Sequence, residues 1–211
     1  MINTPIDARA TATTQARYQR LAPMYDRMEG MSERRFHPWR QRLWSLVQGP
    51  RVLEVGVGTG KNMPFWPHEV EITALDLTPG MLDRARQRAA ALSLQADLRL
   101  GDVQTLEFPG ASFDTVVATC VFCSVPDPVL GLRELKRVVK PGGQIILLEH
   151  MRSPQAVIGT IMDVLNPLVV RLMGANINRR TVENVRAAGW SIELAEDLGM
   201  GGIMKLIVAR S

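Results

Sequence analysis

From Gly49 onward, short apolar runs alternate with stretches whose apolar positions recur every three or four residues. That rhythm predicts strands alternating with helices, the pattern of an α/β sheet. Arg51 to Val55 is the first strand-like run and leads straight into a glycine cluster. Ile72 to Leu77, carrying Asp76 at its end, predicts a second strand, Leu98 to Val103 a third and Phe113 to Thr119 a fourth. Gln144 to Glu149 is an apolar fifth run, which predicts a central strand. Met81 to Leu92, opened by Pro79-Gly80, reads as an amphipathic helix with Arg84, Arg86 and Arg88 on its wet side. Pro128 to Val139 reads as another, with Pro141-Gly142-Gly143 as its stop. Ile192 to Glu196 and Ile203 to Ala209 are late strands. Their link, Gly199-Met200-Gly201-Gly202, predicts an antiparallel hairpin at the edge of the sheet.

Two segments stand outside this rhythm. Residues 10 to 47 look helical, with Tyr18, Leu21, Ala22, Tyr25 and Met28 on one stripe that Pro23 interrupts, so a kink or two helices is expected. Pro154 to Ile177 is apolar nearly all round, carries only Asp163 and Arg171 as charges, and is interrupted by Pro167. A helix without a polar face must be buried or rest against something apolar. The division that follows is an N-terminal helical segment over 1–48 and an α/β domain over 49–211.

Charge sharpens the reading of the N-terminal segment. The 211-residue chain has a formal net charge of +4. Residues 1 to 50 hold eight arginines against four carboxylates, so all of the excess lies there. Such a segment favours a negative surface, nucleic acid or an anionic bilayer. The start shows no apolar run of a secretory leader, and no run of about 18 uncharged apolar residues occurs, so neither export nor a membrane-spanning helix is expected. Two cysteines in such a chain read as reduced thiols of a cytoplasmic protein.

The chemistry begins at Glu54-Val55-Gly56-Val57-Gly58-Thr59-Gly60, where glycines after a strand let a ligand approach the backbone. A dinucleotide fingerprint would need a glycine where Lys61 stands, and a phosphate-binding P-loop would need Ser or Thr where Asn62 stands. Both nucleotide readings fail. The remaining pattern, E-x-G-x-G-x-G followed by Asp76, by Gly101-Asp102-Val103, by Phe113-Asp114 and by Leu135 to Gly143, resembles the class I S-adenosylmethionine-dependent methyltransferases. The resemblance implies a Rossmann-like, seven-stranded, mostly parallel sheet with an antiparallel last strand and an N-terminal helical lid. It implies S-adenosylmethionine as methyl donor, its carboxylate held at Gly56, Gly58 and Gly60, its ribose by Asp76 and its adenine by Asp102 and Val103. Glu54 would order the loop or bind the donor's amine. Tyr18, Thr59, Asn62, Leu77, Met81, Thr119 and Cys120 complete the expected donor-binding set. No metal is implied, and Cys120 and Cys123 read as packing residues beside the donor.

The fold leaves the acceptor open. Cys120 to Pro128 and Leu147 to Ser153, with Asn176 to Thr181, are similar to bacterial phospholipid N-methyltransferases, which convert phosphatidylethanolamine stepwise to phosphatidylcholine. That resemblance implies a phospholipid acceptor and a peripheral place on the inner face of the cytoplasmic membrane. The basic segment, with Leu21, Met24, Met28, Met31, Phe36, Trp39 and Trp44, would dock on the anionic surface. Arg152, Arg179 or Arg180 would bind the phosphate. An ammonium must lose its proton before attacking a methyl group, which makes His150 a candidate base or orienting group and Tyr25 a candidate to hold the amine on its ring face. Another lipophilic acceptor, a quinone precursor or hydrophobic thiol, remains open. Nucleic acid is not expected as a partner.

Overall fold

The computed structural model describes residues 6–199 and 201–211. Met200 of the hairpin link and the side chain of Met31 lie outside the described residues. Two helices come first, α1 (Ala8–Leu21) and α2 (Tyr25–Trp44), separated by a 3₁₀ turn at Ala22–Met24 where Pro23 sits. The sheet and its covering helices follow as β1 (Arg51–Val55), β2 (Glu71–Asp76), α3 (Pro79–Ala91), β3 (Asp97–Leu100), β4 (Phe113–Thr119), α4 (Pro128–Val138) and β5 (Val139–His150). The chain closes with α5 (Ala156–Met173), α6 (Thr181–Ala187), β6 (Ser191–Asp197) and β7 (Met204–Arg210).

The seven strands run in the order β3-β2-β1-β4-β5-β7-β6. β1 to β5 are parallel, and β7 lies antiparallel to both β5 and β6, so the late hairpin does form the edge. Chain order reverses between β1 and β4. In open α/β sheets that switch point, at the carboxyl ends of the strands, is where a crevice opens. Leu82, Ala85 and Ala89 of α3, with Leu43 and Trp44 of α2, bury one face of the sheet. Leu132, Leu135 and Val138 of α4, with Val185 and Ala188 of α6, bury the other.

Two boundaries differ from the sequence pattern. The third strand ends at Leu100, because the Asp102 carboxylate accepts a bond from the Gln104 backbone N–H (2.9 Å) and turns the chain out of the sheet. α4 ends at Val138, one residue short of the expected end, but the Pro141-Gly142-Gly143 that follows is no loop: it lies within β5, where its register against β4 shifts. A Cβ on Gly143 would stand 2.7 Å from the Asp114 carbonyl oxygen, so glycine is what lets the strands pass there.

The N-terminal aromatic residues turn inward. Trp44 is buried and Phe36 and Trp39 pack against the core, which leaves Met24 and Met28, about half exposed at 53% and 48%, as the apolar side chains facing out. Met28 therefore leaves the inward stripe that ends in the buried Ala22.

α5 overturns two expectations. It runs unbroken through Pro167, and by length and composition, with a mean hydropathy of 1.6, it is long and apolar enough to cross a membrane. It is not a core helix. Only Gly159 and Met162 are buried, while Val157 and Val164 are each 73% and Leu172 69% exposed. Val157, Ile161, Val164, Leu165, Leu168 and Leu172 form one outward stripe at helical spacing. The polar edge is the side tied to the protein: Asp163 receives Arg152 Nε (3.0 Å) and Nη2 (2.9 Å), and Asn178 Nδ2 (3.0 Å). Asn166 Oδ1 accepts the Ile177 backbone N–H (2.9 Å). A Cβ on Gly159 would sit 2.4 Å from Arg152 Nη1, so the guanidinium crosses the helix only where the side chain is missing.

At the carboxyl end of β5, Glu149 is fully buried and its Oε1 accepts the backbone N–H groups of Val121 (2.8 Å) and Phe122 (3.1 Å). Its Oε2 has no partner among the described residues. Burial pushes this carboxyl up to about 7 from 4.5, against the pull of those N–H groups. Across that interval the unfolded chain releases the proton while the folded chain keeps it, so stability falls as pH rises. Relative to Glu149→Gln, the unfolding free energy of the native chain should therefore drop by up to about 3 kcal/mol between pH 4.5 and 8 in denaturant titrations. A pH-independent difference between the two proteins would contradict this.

Candidate functional site

Gly56 and Gly58, in the loop after β1, both take positive φ, +65° and +56°. A Cβ on Gly56 would lie 2.4 Å from Val121 Cγ2, so glycine admits the loop that follows β4. A Cβ on Gly58 would meet nothing within 4 Å, so this turn of backbone faces open space. The Gly58 N–H donates to Asp76 Oδ2 (2.9 Å) and the Thr78 N–H to Asp76 Oδ1 (2.9 Å). Asp76 thereby ties the glycine loop to the start of α3, and burial raises its pKa against those two bonds.

A cleft opens at the switch point and runs past this carboxylate. Tyr18, Gly56, Gly58, Asp76, Leu77, Met81, Asp102, Val103, Thr119 and Cys120, all expected at the donor site, line it. Thr59 and Asn62 line an adjoining cleft that shares Tyr25, Gly56, Gly58, Thr119 and Cys120 with the first. Glu54 and Gly60 line neither. Glu54 sits beneath, accepting Asn62 Nδ2 (2.6 Å) and Trp66 Nε1 (2.7 Å), and burial pushes its carboxyl up to about 7. Arg40, itself buried, donates to Asn62 Oδ1 (2.6 Å). Glu54 therefore orders the loop through Asn62. The Asp102 carboxylate is held by Gln104, whose amide nitrogen also reaches Thr11 Oγ1 (3.1 Å).

The N-terminal helices form the roof. Gln15 Nε2 donates to the Leu77 carbonyl (2.8 Å), and Gln19 Oε1 accepts the Gly80 N–H (2.9 Å). The Tyr18 and Ser124 hydroxyls share a hydrogen bond across the cleft, and burial pushes the Tyr18 phenol above its ordinary range. Asp26 clamps the second helix down, accepting Thr59 Oγ1 (2.6 Å) and Arg88 Nη2 (2.8 Å). Burial works against that charge, but these partners hold the carboxyl below its ordinary range. The rings of Tyr18 and Tyr25 stand 6.4 Å apart, which puts an aromatic wall beside the glycine loop.

The remaining expected residues separate. Arg179 donates Nη2 to the Val125 carbonyl (2.6 Å) and lines a third cavity, of about 620 Å³, between α1 and the end of α5. Arg152 is committed to Asp163, and Arg180 is exposed; neither lines that cavity. His150 lines none of the three cavities, although it lies on the same face of the sheet as Thr119, two residues beyond that residue's β5 partner Leu148. Burial lowers its pKa, so the imidazole is neutral at pH 7. Cys120, at φ +55°, turns the chain out of β4, and burial pushes the Cys123 thiol up to about 12, so it is no nucleophile. Thr14, Ser124 and Pro126 line the cleft unforeseen. Ser124 and Pro126 belong to the segment after β4 that carried the resemblance, whereas nothing local marks Thr14.

The donor fits this cleft. Its far walls are the buried Asp76 carboxylate and the Asp102–Val103 turn, its near wall is open glycine backbone, and Tyr18 and Met81 enclose it. Residues 53–147 match the family described as a methyltransferase domain. A phosphatidylethanolamine N-methyltransferase of Cereibacter sphaeroides is 37% identical over 121 residues, 56% of this chain and 60% of that protein's length. A demethylmenaquinone methyltransferase of Deinococcus radiodurans is 33% identical over 171 residues, 78% of this chain and 71% of that protein. Among solved structures, a methyltransferase of Thermotoga maritima superposes with a TM-score of 0.69 at 20% identity, covering 92% of this chain and 98% of that one. The [4+2]-cyclase SpnF superposes at 0.68 and 20% identity, covering 84% and 80%, a likeness of fold alone. Sheet order, glycine loop and these relatives agree: the chain belongs to the S-adenosylmethionine-dependent methyltransferases.

Proposed function

We propose that the chain methylates the amine of phosphatidylethanolamine and its mono- and dimethyl derivatives while resting on an anionic membrane surface at the cytoplasmic face. The observation that carries this reading is α5. Its apolar stripe faces outward, and Val170, near its end, lies on the rim of a cavity that shares Thr14, Ser124 and Pro126 with the donor cleft. In this reading a lipid whose acyl chains lie along that stripe reaches round the end of α5, where Val170 and Gly174 line the cavity, to bring its head group towards the methyl donor. The phosphatidylethanolamine N-methyltransferase relative adds weight.

S-adenosylmethionine supplies a methyl group on a sulfonium, which the acceptor nitrogen takes with its lone pair as the carbon–sulfur bond breaks to a thioether. In this reading Asp76 holds the ribose diol, Asp102 and Val103 the adenine, and the Gly56–Gly58 backbone the amino-acid end. Tyr25, and Tyr18 beside it, present ring faces to a cationic amine and keep water from the reacting atoms. The amine's proton leaves through water at the mouth of the cleft, since His150 lines none of the three cavities. Holding nitrogen and methyl about 3 Å apart in a dry site supplies most of the rate.

A quinone acceptor is the second reading, favoured by the demethylmenaquinone methyltransferase relative, which is matched over more of the chain. One experiment separates them. Purified chain with S-adenosylmethionine and anionic vesicles containing phosphatidylethanolamine should give lipids heavier by successive methyl groups in mass spectra. Unchanged lipid, with methylation of an added demethylmenaquinone, would transfer the function to the second reading. In either case Asp76→Ala should weaken donor binding by about tenfold or more in calorimetry, because both backbone anchors and the diol acceptor are lost together. Undiminished donor affinity would remove Asp76 from the site.

A further inference from the structure

We propose that the cavity between α1 and the C-terminal end of α5 is a phosphodiester subsite, in which Arg17 and Arg179 together take the non-bridging oxygens of the acceptor. The inference rests on the phospholipid reading and gives it an address that the basic residues of the sequence do not reveal. Three guanidinium groups, of Arg9, Arg17 and Arg179, line this cavity. Two carboxylates line it too: Asp7, whose Oδ1 accepts the Ala10 N–H (2.9 Å) at the start of α1, and Asp127, whose Oδ1 accepts the Leu130 N–H (2.9 Å) at the start of α4. Asp127 and the buried Glu149 also act on the Arg179 charge, and three guanidinium groups against two lining carboxylates leave the cavity an excess of positive charge. Among the described residues neither Arg9 nor Arg17 forms an ion pair, and the buried Nε of Arg179 has no partner. That Nε is closed off from the cavity, so a phosphate oxygen there would meet the ends of the Arg17 and Arg179 guanidinium groups, whose charge and planar geometry suit it.

The fold prepares this arrangement. Gly174 ends α5 with φ +81°, and a Cβ there would come within 3.2 Å of Arg17 Cδ, so the glycine makes room for the arginine stem against the helix end. Arg179 is aimed by its bond to the Val125 carbonyl, three residues before Pro128, where α4 begins after the Ser124 that meets Tyr18. From a phosphate held by this pair, the two-carbon arm of an ethanolamine head group points past Ser124 into the donor cleft. Arg17 belongs to the helical roof, so the acceptor also bridges the roof to the body of the protein.

The test measures head-group binding directly, with the full chain saturated with S-adenosylhomocysteine and titrated by calorimetry with glycerophosphoethanolamine, glycerol 3-phosphate and ethanolamine. Both phosphate-bearing probes should bind and ethanolamine alone should not. Arg17→Gln and Arg179→Gln should each weaken the phosphate probes by about tenfold. Arg186→Gln, an exposed arginine of α6 outside the cavity, should leave them unchanged. Thermal unfolding of each variant shows whether the fold is kept, and Arg17→Gln suffices if Arg179→Gln unfolds. Equal binding by native and Arg17→Gln protein, or equal loss in Arg186→Gln, would overturn the subsite. If vesicle lipid is not methylated yet the phosphate probes still bind in an Arg17-dependent way, the phospholipid reading falls and the phosphate subsite stands.

Discussion

The pairing of Arg152 with Asp163 decides which way α5 faces, and the membrane-bound reading proposed above depends on that choice. The helix has a narrow polar edge and a broad apolar one. In an ordinary surface helix the apolar side would turn inward. Here both carboxylate oxygens of Asp163 are drawn to Arg152 across the gap left by Gly159, and Asn166 and Asn178 extend the tether along the same edge. The pair is too exposed to contribute much to stability. Its effect is orientation: it leaves Val157, Ile161, Val164, Leu168 and Leu172 to face outward, a contiguous apolar stripe that water alone does not favour.

A second tether joins that surface to the chemistry. α1 touches the donor cleft at four places, through Thr11 at Gln104 beside Asp102, Gln15 at Leu77, Tyr18 at Ser124 and Gln19 at Gly80. Asp26 then pins the start of α2 to the glycine loop and to α3. The same roof helix passes over Gly174 at the end of α5. Donor cleft and aromatic wall are thus bounded by α1 and the first turn of α2. An account in which lipid and donor meet beneath them needs no further moving part.

Legibility in the sequence follows how local each constraint is. The glycine loop was readable because each glycine answers to its own backbone, and Asp76 and Asp102 because strand ends locate them. The strands and the edge hairpin follow from the alternation of elements and the glycine-rich link, whereas the arrangement of the seven strands was legible only through the resemblance to the family. Contacts made across the chain were not readable. Arg40 completes the Glu54–Asn62 network from a helix that precedes the first strand, and Thr14 lines the cleft from the roof. Three arginines carried equal promise as phosphate ligands, and only tertiary structure spends Arg152 on Asp163 and turns Arg179 into a cavity. Pro167 differs from the pattern because a missing N–H ends a helix only where no surrounding contact holds it, and α5 is held along its polar edge at Asp163 and Asn166. Composition showed α5 to be apolar but not which way it faces, since that is set by Arg152 from outside the helix.

In the proposed function the outward stripe of α5 lies in lipid while the enzyme works. The most direct measurement of this is the depth of a fluorescent label at Leu168→Cys, read by quenching from bromines on the acyl chains of anionic phosphatidylethanolamine vesicles, with a label at Glu183→Cys on α6 for comparison. The account predicts strong quenching at position 168 and little at 183. A label at 168 that stays unquenched while vesicle lipid is being methylated would contradict it.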